Sequence, residues 1–211
     1  MKHKNQRGFS LLELAIALAV LAILAGGVLK GRELLSSARV QSTLTDIASL
    51  ETALAAFQSR YAALPGDFVA ARAAGLNSNG GNGDGLIEGA EACDVFMHLQ
   101  LAGFIQGDYA GAQNANGECS IESNMPNQFN GHYFLSNNLA GPNSRENALG
   151  LLLGQQVAVS QLAEIDRKLD DGNPLRGAVQ VLGLDQAFCT TEDGQWDEAN
   201  GEPCAAVYFM R

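Results

Sequence analysis

The residues that could do chemistry in this sequence fall into separate stretches. Within the apolar run 9–29, Glu13 is the one acidic residue. A carboxylate at that depth in hydrocarbon is costly unless it has a partner or a function. Residues 77–91 read NSNGGNGDGLIEGAE and follow the pattern of an oxygen-donor calcium loop. Asn82 takes its third position, Asp84 its fifth, Gly85 the turn, Leu86 the backbone-carbonyl position, Ile87 the apolar position and Glu91 the twelfth. The first position falls on Gly80, which has no side-chain ligand, so Asn77 or Asn79 would have to substitute. The competing expectation is a Gly/Asn surface loop. Asp170 and Asp171, in a Leu-Asp-Asp-Gly-Asn-Pro stretch, are a second cation candidate, although turn chemistry explains them without a ligand.

The four cysteines, Cys93, Cys119, Cys189 and Cys204, all lie beyond the apolar run and form no CxxC or Cys/His zinc spacing. An even count in an exported segment predicts disulfides in an oxidising compartment. Pairing Cys93 with Cys119 and Cys189 with Cys204 closes two local loops, each worth roughly 3 kcal/mol of chain entropy. The histidines are His3, His98 and His132, and no Ser/His/Asp, Cys/His or metal-ligand cluster argues for catalysis, so no enzyme is expected. The net charge of −10 argues against nucleic acid as a partner, because phosphates require basic patches.

The elements that position these residues begin with the N-terminus. Lys2, His3, Lys4 and Arg7 precede an apolar run of about the 20 residues that span a bilayer as a helix. Basic residues ahead of it predict a cytoplasmic N-terminus and a translocated remainder. Gly26 and Gly27 interrupt the run; each weakens a helix by about 1 kcal/mol relative to alanine. They are a place for local bending or, alternatively, for close helix packing. From residue 30 to 61 the pattern turns amphipathic, with Val40, Leu44, Ile47, Leu50, Leu54, Phe57 and Tyr61 at steps of three and four. Residues 9–61 would then form one helix of roughly 80 Å, apolar all round at first and later buried on one face against a head. Pro65-Gly66 stops it, and Asp67 is placed to cap a short helix through Gly75. Helices are expected over 90–105 and 157–169, and strands near 132–135, over 177–184 and in the final AAVYFMR; 147–154 is apolar but of no clear type. His98 reads as a surface or satisfied polar residue, and Trp196 as a local core under the 189–204 staple.

Arg7-Gly8-Phe9-Ser10-Leu11-Leu12-Glu13-Leu14 closely resembles the class III leader junction of type IV prepilins and of type II secretion pseudopilins. The resemblance covers about residues 4–35. It implies that a membrane-embedded peptidase cuts after Gly8 and N-methylates the new terminus, Phe9. It also implies that Glu13 neutralises the Phe9 amine of a neighbouring subunit and so sets the register of a filament. Opposite charges in low dielectric attract strongly, whereas an isolated one is costly. Many pilins carry a kinking proline late in this helix; here there is none before Pro65. A disulfide-bounded loop from Cys189 to Cys204 resembles the C-terminal region that pilins expose on the filament.

The expected fold is α+β: a long N-terminal helix, membrane-spanning in its first half, packed on an antiparallel β-sheet head as in type IV pilins. The expected organisation is a leader at 1–8, a transmembrane and assembly segment at 9–29, an amphipathic segment at 30–61 and a head at 62–211. The implied partners are copies of the chain, other pilins, the prepilin peptidase and the inner membrane. The chain would sit in that membrane before assembly and in an extracellular or periplasmic filament after it. The expected role is a major or minor pilin. The alternatives are a pseudopilin or a signal-anchored periplasmic calcium-binding protein, with calcium as the one cofactor suggested.

Overall fold

A computed structural model of the chain describes residues 11–76, 80–111, 119–144, 146–183 and 185–210, without the side chain of Leu29. The leader junction at Gly8 and Phe9 lies outside the described residues, as do Asn77 and Asn79. Helix α1 runs Leu11–Tyr61. It is followed by α2 (Glu91–Leu101), α3 (Val159–Leu169) and the single turn α4 (Gln186–Cys189). The strands are β1 (Phe134–Ser136), β2 (Gly150–Leu152), β3 (Val157–Ala158), β4 (Val179–Val181), β5 (Pro203–Cys204) and β6 (Ala206–Phe209).

The chain divides into two compact units, residues 1–38 and 39–211. In the first, every side chain described from Leu11 to Val28 is exposed, and an apolar window of mean hydropathy 2.5 is wholly unburied. By length and composition this stretch can cross a membrane. Helical hydrogen bonding continues through Gly26 and Gly27, and a Cβ at either would meet nothing within 4 Å.

In the second unit the buried face of α1 begins at Val40 and continues through Ile47, Leu50, Leu54 and Phe57, the step of three and four that one helical face requires. A four-stranded antiparallel sheet in the order β1-β2-β6-β4 forms the other side of this core. The last strand is therefore central: Tyr208 on β6 pairs with Leu151 on β2 and with Val179 on β4. Alternate residues of a strand point to opposite faces. Leu135, Leu151 and Tyr208 belong to the main core with α1, while Leu152, Val207 and Phe209 join a smaller cluster with Phe134 and Leu139. Two phenols fix the helix against the sheet. Tyr208 donates to Glu51 at 2.7 Å and Tyr133 donates to Asp46 at 3.0 Å. Strands β3 and β5 make a separate two-stranded pair.

Several boundaries differ from the sequence expectation. Residues 69–75 are turns rather than a short helix; the backbone closes one turn and exits through Gly75 at φ +81°. Asp67 does not cap it, because both its oxygens are engaged by a later loop. Residues 157 and 158 pair with Pro203 and Cys204 as a strand, so the 157–169 helix starts at Val159. Of the two readings of His98, surface or satisfied polar residue, the structure has the second: it is fully buried and accepts a hydrogen bond from Gly66 N.

Candidate functional site

Two features of the structure bear on function: the exposed apolar part of α1 and an acidic loop that leads into α2. Glu13 lies in the first turn of α1, exposed and surrounded along the helix by exposed Leu11, Leu12, Leu14 and Ile16. Burying a side chain of this size is worth about 1.5–3 kcal/mol relative to leaving it in water. A stretch with all its described apolar side chains outward therefore needs lipid or other helices around it.

The acidic loop is built on the turn that ends α1. Gly66 donates its N–H to Nδ1 of buried His98 at 2.9 Å. The turn lies so close to α2 that a Cβ on Gly66 would come within 2.5 Å of the Glu91 carbonyl oxygen. Asp67 is thereby held under the loop, where its two oxygens accept from Gly83 N at 2.5 Å and Gly85 N at 2.7 Å. Both of these glycines have positive φ, a geometry open to residues without a Cβ. Around this centre Asn82 accepts from Asp84 N at 2.8 Å, Asp84 accepts from Leu86 N at 2.9 Å, and Glu91 accepts from Asn82 N at 2.8 Å.

The result is that Asp67, Asp84 and Glu91 each place a carboxylate oxygen within 4.8 Å of the others. Such a set could hold a metal ion, and all-oxygen donors suit a hard cation. Of the donors expected from sequence, Asn82, Asp84 and Glu91 come together, with the backbone of Leu86 in the same loop. Asp67 was missed. The signal for it was the loop's own defect: a first position occupied by Gly80 requires a ligand from elsewhere. Gly80 lies directly over the same turn, its virtual Cβ 2.8 Å from the Val69 carbonyl oxygen.

Residues 3–29 match the family model of the prokaryotic N-terminal methylation motif. The chain carries the class III leader of type IV pilins and pseudopilins. No curated protein and no solved structure matches it. The long apolar helix followed by an antiparallel sheet fits the α+β architecture of a type IV pilin-like protein. The motif belongs to structural subunits rather than to enzymes, and it generally implies self-assembly and processing by a prepilin peptidase. Together with the apolar helix it fits a membrane-anchored precursor.

The second compact unit carries two disulfides, Cys93–Cys119 and Cys189–Cys204. The second encloses a loop whose Trp196 is buried and donates from Nε1 to Asp166 at 2.8 Å. Asp166 also accepts from Gly172 N at 3.2 Å. Burial, only partly offset by these donors, pushes its carboxyl up to about 6. Asp166, Asp170 and Asp171 form a second acidic group. Its members already have structural work: Asp170 accepts from Ala178 N, while Asp171 takes Asn173 N at 2.9 Å and the Arg176 guanidinium at 3.0 Å. Burial also holds the His98 imidazole down at about 4, so it is neutral at physiological pH and serves as the acceptor for Gly66.

Proposed function

We propose that this protein is a pilin, a structural subunit of a type IV pilus. In this reading residues 1–8 are a leader removed after Gly8, and the new N-terminus, Phe9, is methylated. Residues 9–29 anchor the subunit in the inner membrane with its N-terminus cytoplasmic. They later form the packed interior of a filament that extends outside the cell. Residues 30–61 carry the helix into the head at 62–211. Glu13 pairs with the Phe9 amine of a neighbour, which neutralises two charges in a low-dielectric interior and sets the axial register. Gly26 and Gly27 supply flexibility where pilins commonly use proline. The observation that carries this reading is the methylation motif at residues 3–29, running directly into a helix whose described apolar side chains are outward-facing.

A pseudopilin of a type II secretion system is the second reading, favoured by the acidic loop. In either, the loop holds calcium through the carboxylates of Asp67, Asp84 and Glu91, the Asn82 amide oxygen and the Leu86 carbonyl. The deciding experiment for the common part is mass spectrometry of the mature N-terminus. Methylated phenylalanine at residue 9 is expected. An intact Met1, or a cut near Ala25, would refute the prepilin assignment.

A further inference from the structure

We propose that the groove over β1 and β2, on the sheet face turned away from α1, binds a neutral polyhydroxylated ligand, an oligosaccharide. The groove has a volume of about 830 Å³, well within the range of small-ligand sites. Phe134, Leu139 and Leu152 are apolar residues of its lining, and Asn124, Asn130, Asn138, Gln155 and Gln156 bring carboxamides to it. In a chain of net charge −10, the described lining residues include no Asp, Glu, Lys or Arg. Neutral amides offer both a donor and an acceptor in one plane, which suits the adjacent hydroxyls of a sugar. The partly exposed Phe134 ring and the leucines suit its C–H faces.

The wall of the groove is built rather than incidental. Buried Asn127 accepts from Phe129 N at 2.9 Å and Gly131 N at 2.8 Å, and donates to the Leu153 carbonyl at 2.8 Å. This ties the 124–132 segment to the end of β2. Cys119, in the lining, is fixed to α2 by its disulfide with Cys93, and Ser136 Oγ accepts from Asn138 N at 3.1 Å. A preformed site loses less entropy on binding. Asn124 adds a polar demand. Its Oδ1 is buried without a hydrogen-bond partner among the described residues, and its Nδ2 reaches Ser120 O only at 3.5 Å. A buried acceptor left unpaired is costly, and a rotated Asn124 offers both amide atoms to a ligand.

An added peptide strand fits less well. The outer edge of β1 is already taken at both ends, by Tyr133 N to Met125 O at 2.7 Å and Asn137 N to Ile87 O at 2.9 Å. Anionic glycans meet no Lys or Arg in the described lining, where His132 is the one basic side chain.

The test uses the full chain in a zwitterionic, sugar-free detergent, with maltotetraose, cellotetraose, mannotetraose and chitotetraose as probes and a heparin tetrasaccharide as the charged control. Binding is read by saturation-transfer NMR and calorimetry. At least one neutral tetrasaccharide should bind. The paired change Gln155→Ala/Gln156→Ala, and separately Asn138→Ala, should weaken it at least tenfold without lowering the melting temperature; all three residues are exposed. The proposal is overturned if no neutral probe binds, if the variants bind as the parent does, or if the heparin fragment binds equally well. Loss of self-association in the variants, with no sugar bound by the parent, would make the groove a subunit contact instead.

Discussion

His98 and Asp166 should pull the stability of the head in opposite directions as the pH falls, and variants at each should expose the hidden slopes. His98 is wholly buried, its ring stacked against Phe57 at 6.1 Å between centroids, and its Nδ1 accepts the Gly66 N–H at 2.9 Å. Burial lowers its imidazole from 6.5 to about 4. The folded state therefore favours the neutral ring. That contribution is complete above pH 6.5 and is lost as the pH falls from 6.5 through about 4, a change worth about 3 kcal/mol. Asp166 has the opposite sign. Its carboxyl is raised from 3.8 to about 6, chiefly by burial, so the ionised form opposes folding above pH 6. That penalty is relieved between about 6 and 3.8, also by about 3 kcal/mol. Between pH 7 and 4 the two nearly cancel. His98→Asn keeps an acceptor near the Nδ1 position but removes the titration. Relative to the parent, this variant should gain about 3 kcal/mol on going from pH 7 to 4, or roughly 6–12 °C in melting temperature for a domain of this size. Asp166→Asn should lose a similar amount over the same interval. Urea unfolding of the full chain in detergent, followed by Trp196 fluorescence at several pH values, measures both. Differences between variant and parent remove the background from other carboxylates. If either variant shows the parent's pH profile, the opposed-titration argument fails.

Calcium should raise the melting temperature of the full chain. Saturation a hundredfold above the dissociation constant corresponds to about 2.7 kcal/mol, and Asp67→Asn should reduce the shift as much as Asp84→Asn does. A normal shift in Asp67→Asn would remove that residue from the ligand set. Glu13→Ala should leave cleavage and methylation intact in mass spectra while abolishing filaments seen by electron microscopy; normal filaments would refute the register role. Replacing Cys189 and Cys204 by serine should cost about 3 kcal/mol in urea titrations and raise the quenching of Trp196 by acrylamide. Unchanged quenching would mean that the disulfide does not hold the tryptophan.

Length and pattern made the helices legible, and non-local contacts hid much of the rest. The stripe from Val40 to Phe57 and the face of Val159, Leu162 and Ile165 repeat at helical steps, so α1 and α3 announce themselves. Residues 147–154 resisted assignment because Gly150, Leu151 and Leu152 are all buried, which leaves no alternation for a strand to show. Helix α2 is buried from Val95 to Leu99 without a break, so its pattern distinguishes no polar face and leaves His98 open between a surface and a satisfied polar residue. The partner that makes its burial tolerable, Gly66, lies 32 residues away. Asp67 was hidden for the same reason. Its position after Pro65-Gly66 suggests a cap, and only the tertiary turn brings its oxygens to Gly83 and Gly85.

The polar contacts of α1 follow from its change of environment at residue 39. Before that point its described apolar side chains face outward; after it, the helix is one wall of a core. A purely apolar contact between helix and sheet would tolerate sliding, because greasy surfaces of similar volume repack at modest cost. Asp46 and Glu51 prevent this. Asp46 accepts from Tyr133, just before β1, and Glu51 from Tyr208 on the central strand β6. Burial, with the negative charge of Asp46 beside it, raises the Tyr133 hydroxyl, so it stays a proton donor. These residues lie five apart on the helix; one meets the residue before β1 and the other meets β6. A slip of one helical turn would break both bonds at once. The head is therefore indexed to its own helix by two charge-assisted bonds. A subunit whose helix is held in register by its neighbours would need that index if every head is to present the same surface.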